Sequence, residues 1–286
     1  IGPWPHHVNF SGQLGPIDFG DTAIIDLQGI KLAWFDHWLK GIENGIMDEP
    51  KIDFFVMGKN QWKKAEEWPL KNTAYTKYFL HGNGRANTSF GDGVLSTEQP
   101  SGNEKDDAYI YDPLNPCPNI FDSSITPAEG PFDQRPIEMR DDVLVYSTPP
   151  IELETEVSGQ VHAVLYASTS ARDTDFWAQL TDVFPSGFSM HLTEGIIRGR
   201  YHKSLEAPEL LEPEKVHEFK IDLWITSNLF LKGHKIRLDV SSSSFPKYDR
   251  NPNTGHEFGM DAETFPANQR IYHDSKFSSH IVLPIV

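Results

Sequence analysis

A chain of 286 residues is long enough for one large domain or two modest ones, and 38% hydrophobic with 23% charged residues is typical of a globular protein. Its net charge of -16 disfavours nucleic acid and anionic membranes as partners. No apolar run approaches the roughly 18 residues that a transmembrane helix needs. The single cysteine, Cys117, excludes an intrachain disulfide. It favours the cytoplasm and leaves secretion open.

Residues 21–40 predict an amphipathic helix, because apolar residues recur at steps of three to five: Ile24, Leu27, Leu32, Phe35 and Leu39. Trp34 and Trp38 broaden this apolar stripe. Asp21 is the candidate N-cap, and Gly41 follows Lys40 as a stop signal. We expect the two tryptophans to pack against another domain.

From residue 51 onward the pattern changes to short β-rich runs separated by turn residues. The predicted strands lie in KIDFFVMG, AYTKYFLHG, GVL, DVLVYST, IELETEV, QVHAVLYAS, DFWAQLTDVF, FKIDLWIT, HKIRLDVSS and HIVLPIV. GIIRGRYHKSL fits either a strand or a short helix. This spacing predicts a mainly β fold with an antiparallel sandwich or jelly roll.

The predicted organisation is uneven. Residues 1–45 carry a loop and one helix, and residues 46–286 carry the β-sandwich. Since one helix and a loop cannot bury a core of their own, residues 1–45 are expected to be the C-terminal edge of another domain that lies upstream.

The opening loop GPWPHH contains the candidate catalytic residue. Adjacent histidines such as His6 and His7 point in different directions and do not chelate one metal ion, so we predict no metal site here. One imidazole on a fixed turn suits a general base in acyl transfer. In α/β-hydrolases that histidine follows the nucleophile and the acid along the chain and precedes a final helix.

A nucleophile is the missing part of this arrangement. The G-x-S-x-G elbow does not occur in the chain. The serines in NFSGQ, NTSFGDG and FPSGFS lack the two flanking glycines. A nucleophile and an acid are therefore expected upstream of residue 1.

Other polar and aromatic residues favour structural roles. Asp173 and Asp175 are interpreted as turn residues rather than catalytic or calcium-binding acids. Arg237 alternates with apolar neighbours and is predicted to pair with an acid across the sheet. Trp177 and Trp224 are predicted to lie in strand cores.

Several motifs together resemble the C-terminal half of the CocE/NonD serine hydrolases, the cocaine esterase and α-amino-acid ester hydrolase type, which is related to S15 X-Pro dipeptidyl-peptidases. The resemblance covers nearly the whole chain in order and rests on segments that include GPWPH, YDPLNPCP, GPFDQRPIEMRDDVLVYST and LFLKGHKIRLDVSSSSFPKYDRNPNTG. It implies three parts: an α/β-hydrolase domain, a helical cap and a C-terminal jelly roll of galactose-binding-like type. This chain resembles the C-terminal edge of the hydrolase domain and the whole of the jelly roll.

The resemblance also implies a role for His6. The family's catalytic histidine lies in a Gly-Pro-Trp-x-His motif, which matches His6 with Pro5 at the variable position and leaves His7 outside the triad. The family's serine, aspartate and oxyanion donors have no counterpart here, so the chain alone is expected to be inactive. The irregular stretch 113–131 is expected to reach the active-site mouth.

The implied complete protein is a serine acyl hydrolase with no cofactor and no metal, which cleaves a small-molecule ester or amide or a peptide, X-Pro dipeptides included. Its partners would be the N-terminal hydrolase and cap domains of the same polypeptide. A homo-oligomer is possible, and we expect binding to neither a membrane nor a nucleic acid. The alternative is a non-catalytic β-sandwich binding module for carbohydrate or protein.

Overall fold

The computed structural model describes residues 1–120, 130–257 and 259–286. In this part of the chain there is one α-helix, α1 (Leu27–Lys40), with single 3-10 turns at Asp21–Ala23, Ile46–Asp48 and Gly199–Tyr201. The strands are β1 (Gln13–Leu14), β2 (Ile17–Asp18), β3 (Ile52–Val56), β4 (Gln61–Ala65), β5 (Ala74–His81), β6 (Val94–Ser96), β7 (Asp107–Tyr111), β8 (Leu144–Ser147), β9 (Thr155–Thr169), β10 (Asp175–Val183), β11 (Ser189–Arg198), β12 (His217–Phe230), β13 (Lys235–Ser241), β14 (Ala267–Tyr272) and β15 (His280–Ile285). The predicted mainly β class is confirmed.

Eleven strands form one continuous hydrogen-bonded sheet in the order β11-β10-β13-β8-β6-β5-β15-β9-β14-β7, with β12 on β9. All neighbours are antiparallel except β6 and β8. The sheet folds back on itself, so that β11 at one edge lies against β12, where the Thr193 hydroxyl donates to the Leu223 carbonyl. The two layers enclose one core, in which the rings of Phe176 and Phe219 lie 4.6 Å apart. The result is the expected β-sandwich.

The strands IELETEV and QVHAVLYAS were predicted as two elements, but they form the single strand β9. Gly159 stands at the expected break with φ 149°, in the region that favours glycine. It stays in the ladder opposite Thr226, and a Cβ there would come within 2.9 Å of the Pro284 side chain on β15. The glycine therefore marks a close approach of two strands, not a turn.

The helix begins at Leu27 and not at residue 21 as predicted, and its N-cap is Asp26, whose side chain accepts from the Gly29 amide. The reason is that Asn9 binds the backbone ahead of the helix. Its Nδ2 donates to the Ile25 carbonyl (2.7 Å), and its Oδ1 accepts from the Ile25 amide (2.9 Å). These bonds keep Ile25 out of the helical ladder. The predicted end at Gly41, with left-handed φ 68°, is confirmed.

Residues 1–26 pack on the β3–β4 hairpin and not on the large core. Phe19, Ala23 and Phe55 form a small buried cluster, and Trp62 Nε1 donates to the Thr22 carbonyl (2.8 Å). Helix α1 has no buried residue. No helix among the described residues is long and apolar enough to cross a membrane.

Candidate active site

The loop that carries His6 is fixed on both sides. On one side, Trp4 Nε1 donates to the Ala23 carbonyl (2.8 Å), and the Trp4 ring lies 5.5 Å from the Trp62 ring. On the other side, Asn9 makes its two hydrogen bonds to the Ile25 backbone. Asn9 has φ 60°, a left-handed value that asparagine tolerates. The loop is therefore held at both ends while the histidines between them are presented to the surface.

His6 and His7 are both exposed. Their ring centroids lie 6.0 Å apart with the planes inclined at 56°, and the His7 ring lies 6.5 Å from Phe10. Within the described residues His6 forms no hydrogen bond to a serine or a carboxylate. Its imidazole is exposed and has no triad partner among the described residues.

The three loosely matching serines serve local structure. Ser11 Oγ accepts from the Gln13 amide (3.0 Å), and Ser186 Oγ accepts from the Phe188 amide (3.4 Å). Ser89 Oγ contacts the Met139 sulfur at 3.7 Å. In the described residues none of them is hydrogen-bonded to a histidine, which is the contact that activates a nucleophile.

The acids considered in the sequence occupy structural ion pairs. Asp175 Oδ1 pairs with Arg198 Nε (3.0 Å), which joins the start of β10 to the end of β11. Asp173 Oδ2, just before β10, pairs with Arg200 Nε (2.8 Å) in the turn that follows β11. Burial raises the pKa of Asp175 to about 6 despite the Arg198 guanidinium. Arg237 pairs with an acid as predicted, although Glu138 lies in the turn before β8 and not on a strand.

Of the two tryptophans predicted in strand cores, Trp177 is buried, but the prediction for Trp224 is wrong. Trp224 is 71% exposed and has φ 71°. It sits where the β12–β9 register shifts between Asp222 and Ile225, and Asp222 Oδ1 accepts from its amide (2.8 Å). The bulge turns the side chain outward, which the alternating pattern of the strand did not indicate.

Buried histidine–carboxylate pairs are the titratable groups that the sequence did not predict. His234 Nδ1 lies 2.8 Å from Asp182 Oδ1, and His273 Nε2 lies 2.8 Å from Asp107 Oδ2. The partners are 52 and 166 residues apart, so no local motif could indicate them. Cys117 is buried as well, and burial raises the pKa of its thiol, which makes it a poor nucleophile.

One group of side chains in the described residues has metal-ligating character, and it lies away from His6 in sequence. His256, Asp261 and Glu263 hold ligand atoms within 4.8 Å of one another on a surface loop. A hydrogen bond of 2.8 Å between His256 and Asp261 accounts for their proximity. Of the stretch 113–131, residues 121–129 lie outside the described residues.

Residues 44–282 match the family of the X-Pro dipeptidyl-peptidase C-terminal non-catalytic domain. The chain belongs to this family and corresponds to the C-terminal portion of CocE/NonD-type hydrolases. Over 100% of its length it is 45% identical to cocaine esterase from Rhodococcus sp. (strain MB1 Bresler), of which it covers 51%.

Two solved structures share the fold over the full length of the chain. One is an aminopeptidase from the marine sediment archaeon Thaumarchaeota archaeon, with a TM-score of 0.88, 31% identity and 48% of that chain covered. The other is an α-amino acid ester hydrolase, with a TM-score of 0.86, 29% identity and 49% covered. The chain therefore spans about half the length of these relatives, which are hydrolases of esters and peptides.

Proposed function

We propose that the whole protein is a serine hydrolase that cleaves ester or amide bonds, and that this chain supplies its C-terminal jelly roll and its general base, His6. The similarity of the entire chain to an esterase, an aminopeptidase and an amino-acid ester hydrolase supports the reaction class. All three act on an acyl carbonyl, so the proposed substrate is a small ester or amide or the N-terminal end of a peptide.

The observation that carries the proposal is the exposed apolar face of α1, which follows the His6 loop. Trp34, Phe35 and Trp38 are each about half exposed, and Leu39 is 77% exposed. A contiguous apolar surface of this kind marks an interaction site. We take its partner to be the rest of an α/β-hydrolase domain, which would bring a serine and an acid to His6.

In the proposed mechanism His6 accepts the proton of the serine Oγ as that oxygen attacks the carbonyl carbon. His6 then protonates the leaving alcohol or amine, and afterwards it activates water to release the acyl group. A carboxylate from the upstream domain would hold the imidazole in the required tautomer. The anchors Trp4 and Asn9 fix the loop, so the imidazole is positioned before the substrate binds.

The test is a pair of variants in the full-length protein, His6→Gln and His7→Gln, assayed with p-nitrophenyl acetate. Loss of a triad histidine costs on the order of 10⁴-fold or more in kcat, so His6→Gln should lose nearly all activity. His7→Gln is the matched control and should stay within a few-fold of the parent. If both variants keep the parent's kcat, His6 is not the general base.

The isolated 286-residue chain gives a second test. Because the proposed nucleophile lies outside it, it should hydrolyse p-nitrophenyl acetate no faster than the His6→Gln variant of the same chain. A faster reaction that a serine-directed phosphonate abolishes would place a nucleophile within these residues and contradict the proposal.

A further inference from the structure

Five side chains form a continuous polar cluster beside the loop of residues 97–106, which joins β6 to β7. His81 Nδ1 lies 2.8 Å from Glu104 Oε1, and Glu104 Oε2 lies 3.3 Å from His273 Nδ1. His273 Nε2 lies 2.8 Å from Asp107 Oδ2, to which the Tyr146 hydroxyl also donates (2.8 Å). We call this set the His273 cluster. It links β5, β7, β8 and the end of β14 to the loop.

The Nδ1 atom of His273 is the position in the cluster that has no hydrogen-bond partner among the described residues. Asp107 is fully buried, and its other oxygen accepts from the Ala86 amide (2.8 Å), so it acts as an acceptor throughout. His273, also fully buried, must then carry a proton on Nε2. Its Nδ1 faces Glu104 outside hydrogen-bond geometry, and no other described residue bonds to it. The charge of His273 is therefore decided at Nδ1.

Glu104 connects this histidine to the loop. Its carboxylate accepts from His81 and from the Gly82 amide (3.2 Å) at the end of β5. His81 Nε2 in turn lies 2.9 Å from the Glu98 carbonyl at the start of the same loop. The Glu104 carboxylate thus contacts the end of β5 directly and the start of the loop through His81, whose two ring nitrogens both face acceptors.

Two other contacts also hold the loop: Arg270 on β14 pairs with Asp106 (2.6 Å), and the Ser275 amide donates to the Gly102 carbonyl (3.0 Å). Most other loop residues are exposed.

We propose that the His273 cluster is a pH-sensitive latch, in which the proton on His273 Nδ1 holds the 97–106 loop on the sheet and its loss releases the loop. With the proton present, a buried imidazolium lies between two carboxylates. Without it, a nitrogen lone pair faces the Glu104 carboxylate, and that contact becomes repulsive.

The sign of the effect follows from the charges around His273. Burial lowers the pKa of His273, but Asp107 and Glu104 raise it above the ordinary histidine value overall. The latch is therefore closed at low pH and opens as pH rises through the pKa that His273 has with the loop closed. Burial also raises the pKa of Tyr146, which stays protonated.

One further charged pair lies close to the cluster. Asp92 is on the other side of Gly82, where a Cβ would meet Asp92 Oδ1 at 3.4 Å and His273 Cε1 at 3.7 Å. Asp92 is paired with Arg85 at 3.4 Å. Its charge therefore faces Arg85 as well as the cluster.

Hydrogen exchange followed by mass spectrometry, between pH 6 and pH 9 on the full-length protein, tests the latch. After correction for the intrinsic pH dependence of exchange, protection of peptides from residues 97–106 should fall with rising pH. The fall should approach about tenfold for each unit by which the pKa of His273 with the loop closed exceeds its pKa with the loop open. Peptides from β10, which is buried along its length, serve as the internal reference.

Two matched variants separate the latch from a fixed structural contact. Glu104→Gln should abolish the pH dependence and lower the His273 pKa measured by NMR. Glu98→Gln keeps the carbonyl that His81 contacts and should behave as the parent. Loop protection that does not change with pH in the parent, or equal profiles for the two variants, would overturn the proposal.

Discussion

At the scale of single residues, the interior of the sandwich holds charges that are bound in specific contacts. The Arg237 guanidinium donates to Glu138 and to the Ser147 hydroxyl, and the Ser189 hydroxyl donates to Glu138 (2.5 Å). Burial raises the pKa of Glu138 and of neighbouring Asp239. Arg237 is thus the cation that permits two carboxylates to share one buried region.

Removing that cation should destabilise the fold. Arg237→Met leaves buried carboxylates unpaired, for which the cost is about 3–5 kcal/mol. Urea denaturation followed by circular dichroism at pH 7 measures the loss. Lys235→Met on the same strand is the control, since Lys235 has no ion-pair partner among the described residues. Equal unfolding free energies for the two variants would contradict this account.

The same variant has a pH dependence of definite sign. Carboxyl groups whose folded-state pKa lies above the unfolded value bind more protons in the folded state, so their protonation on acidification favours folding. The gap in unfolding free energy between Arg237→Met and the parent should therefore narrow from pH 8 to pH 5. A gap that widens over this range would show that Glu138 and Asp239 are not the groups left uncompensated.

At the scale of elements, α1 is a helix with no buried residue, and its large apolar side chains are exposed in the described chain. In the isolated chain the triple variant Phe35→Ser, Trp38→Ser and Leu39→Ser should bind less hydrophobic dye and aggregate less than the parent. A control variant replaces Leu153 and Leu205, each 81% exposed and outside the helix, by serine. If the two variants lower dye binding equally, α1 is not the docking surface.

The elements also show how far the sequence predicts this fold. Strands with dense β-branched and aromatic residues, such as β10 and β13, were predicted closely. β14 was missed because its buried face carries Gln269, which hydrogen-bonds to Thr174 (2.7 Å) and Ser242 across the core. A polar residue on a buried strand face favours the prediction of a loop, because the distant partners of its hydrogen bonds are not visible in the sequence.

The residues of the candidate site also differ in how far the sequence predicts them. The sequence indicates His6, because its loop and the helix that follows are local features of the chain. It does not indicate the anchoring roles of Trp4 and Asn9, since their partners Ala23 and Ile25 become neighbours only on folding. Trp224 points outward because the β12–β9 register shifts beside it, and the hydrophobic periodicity of the sequence does not indicate that shift.

At the scale of the whole molecule, the chain joins a β-sandwich to a small N-terminal segment. That segment packs through Phe19, Ala23 and Phe55 on the β3–β4 hairpin, while its helix and its histidines face outward. A β-sandwich beneath an open histidine loop suits a site that is completed by a second domain. We therefore propose that His6 pairs with a serine supplied by the rest of the polypeptide.

The most direct measurement of that claim is a crystal structure of the full-length protein, determined both free and after reaction with a fluorophosphonate that labels a nucleophilic serine. We expect a single labelled serine outside residues 1–286, with its Oγ about 2.6–3.2 Å from a His6 ring nitrogen in the free enzyme. We also expect the apolar face of α1 to be buried against the labelled domain. A His6 ring that remains in solvent, with the labelled serine paired to another histidine, would contradict the proposal.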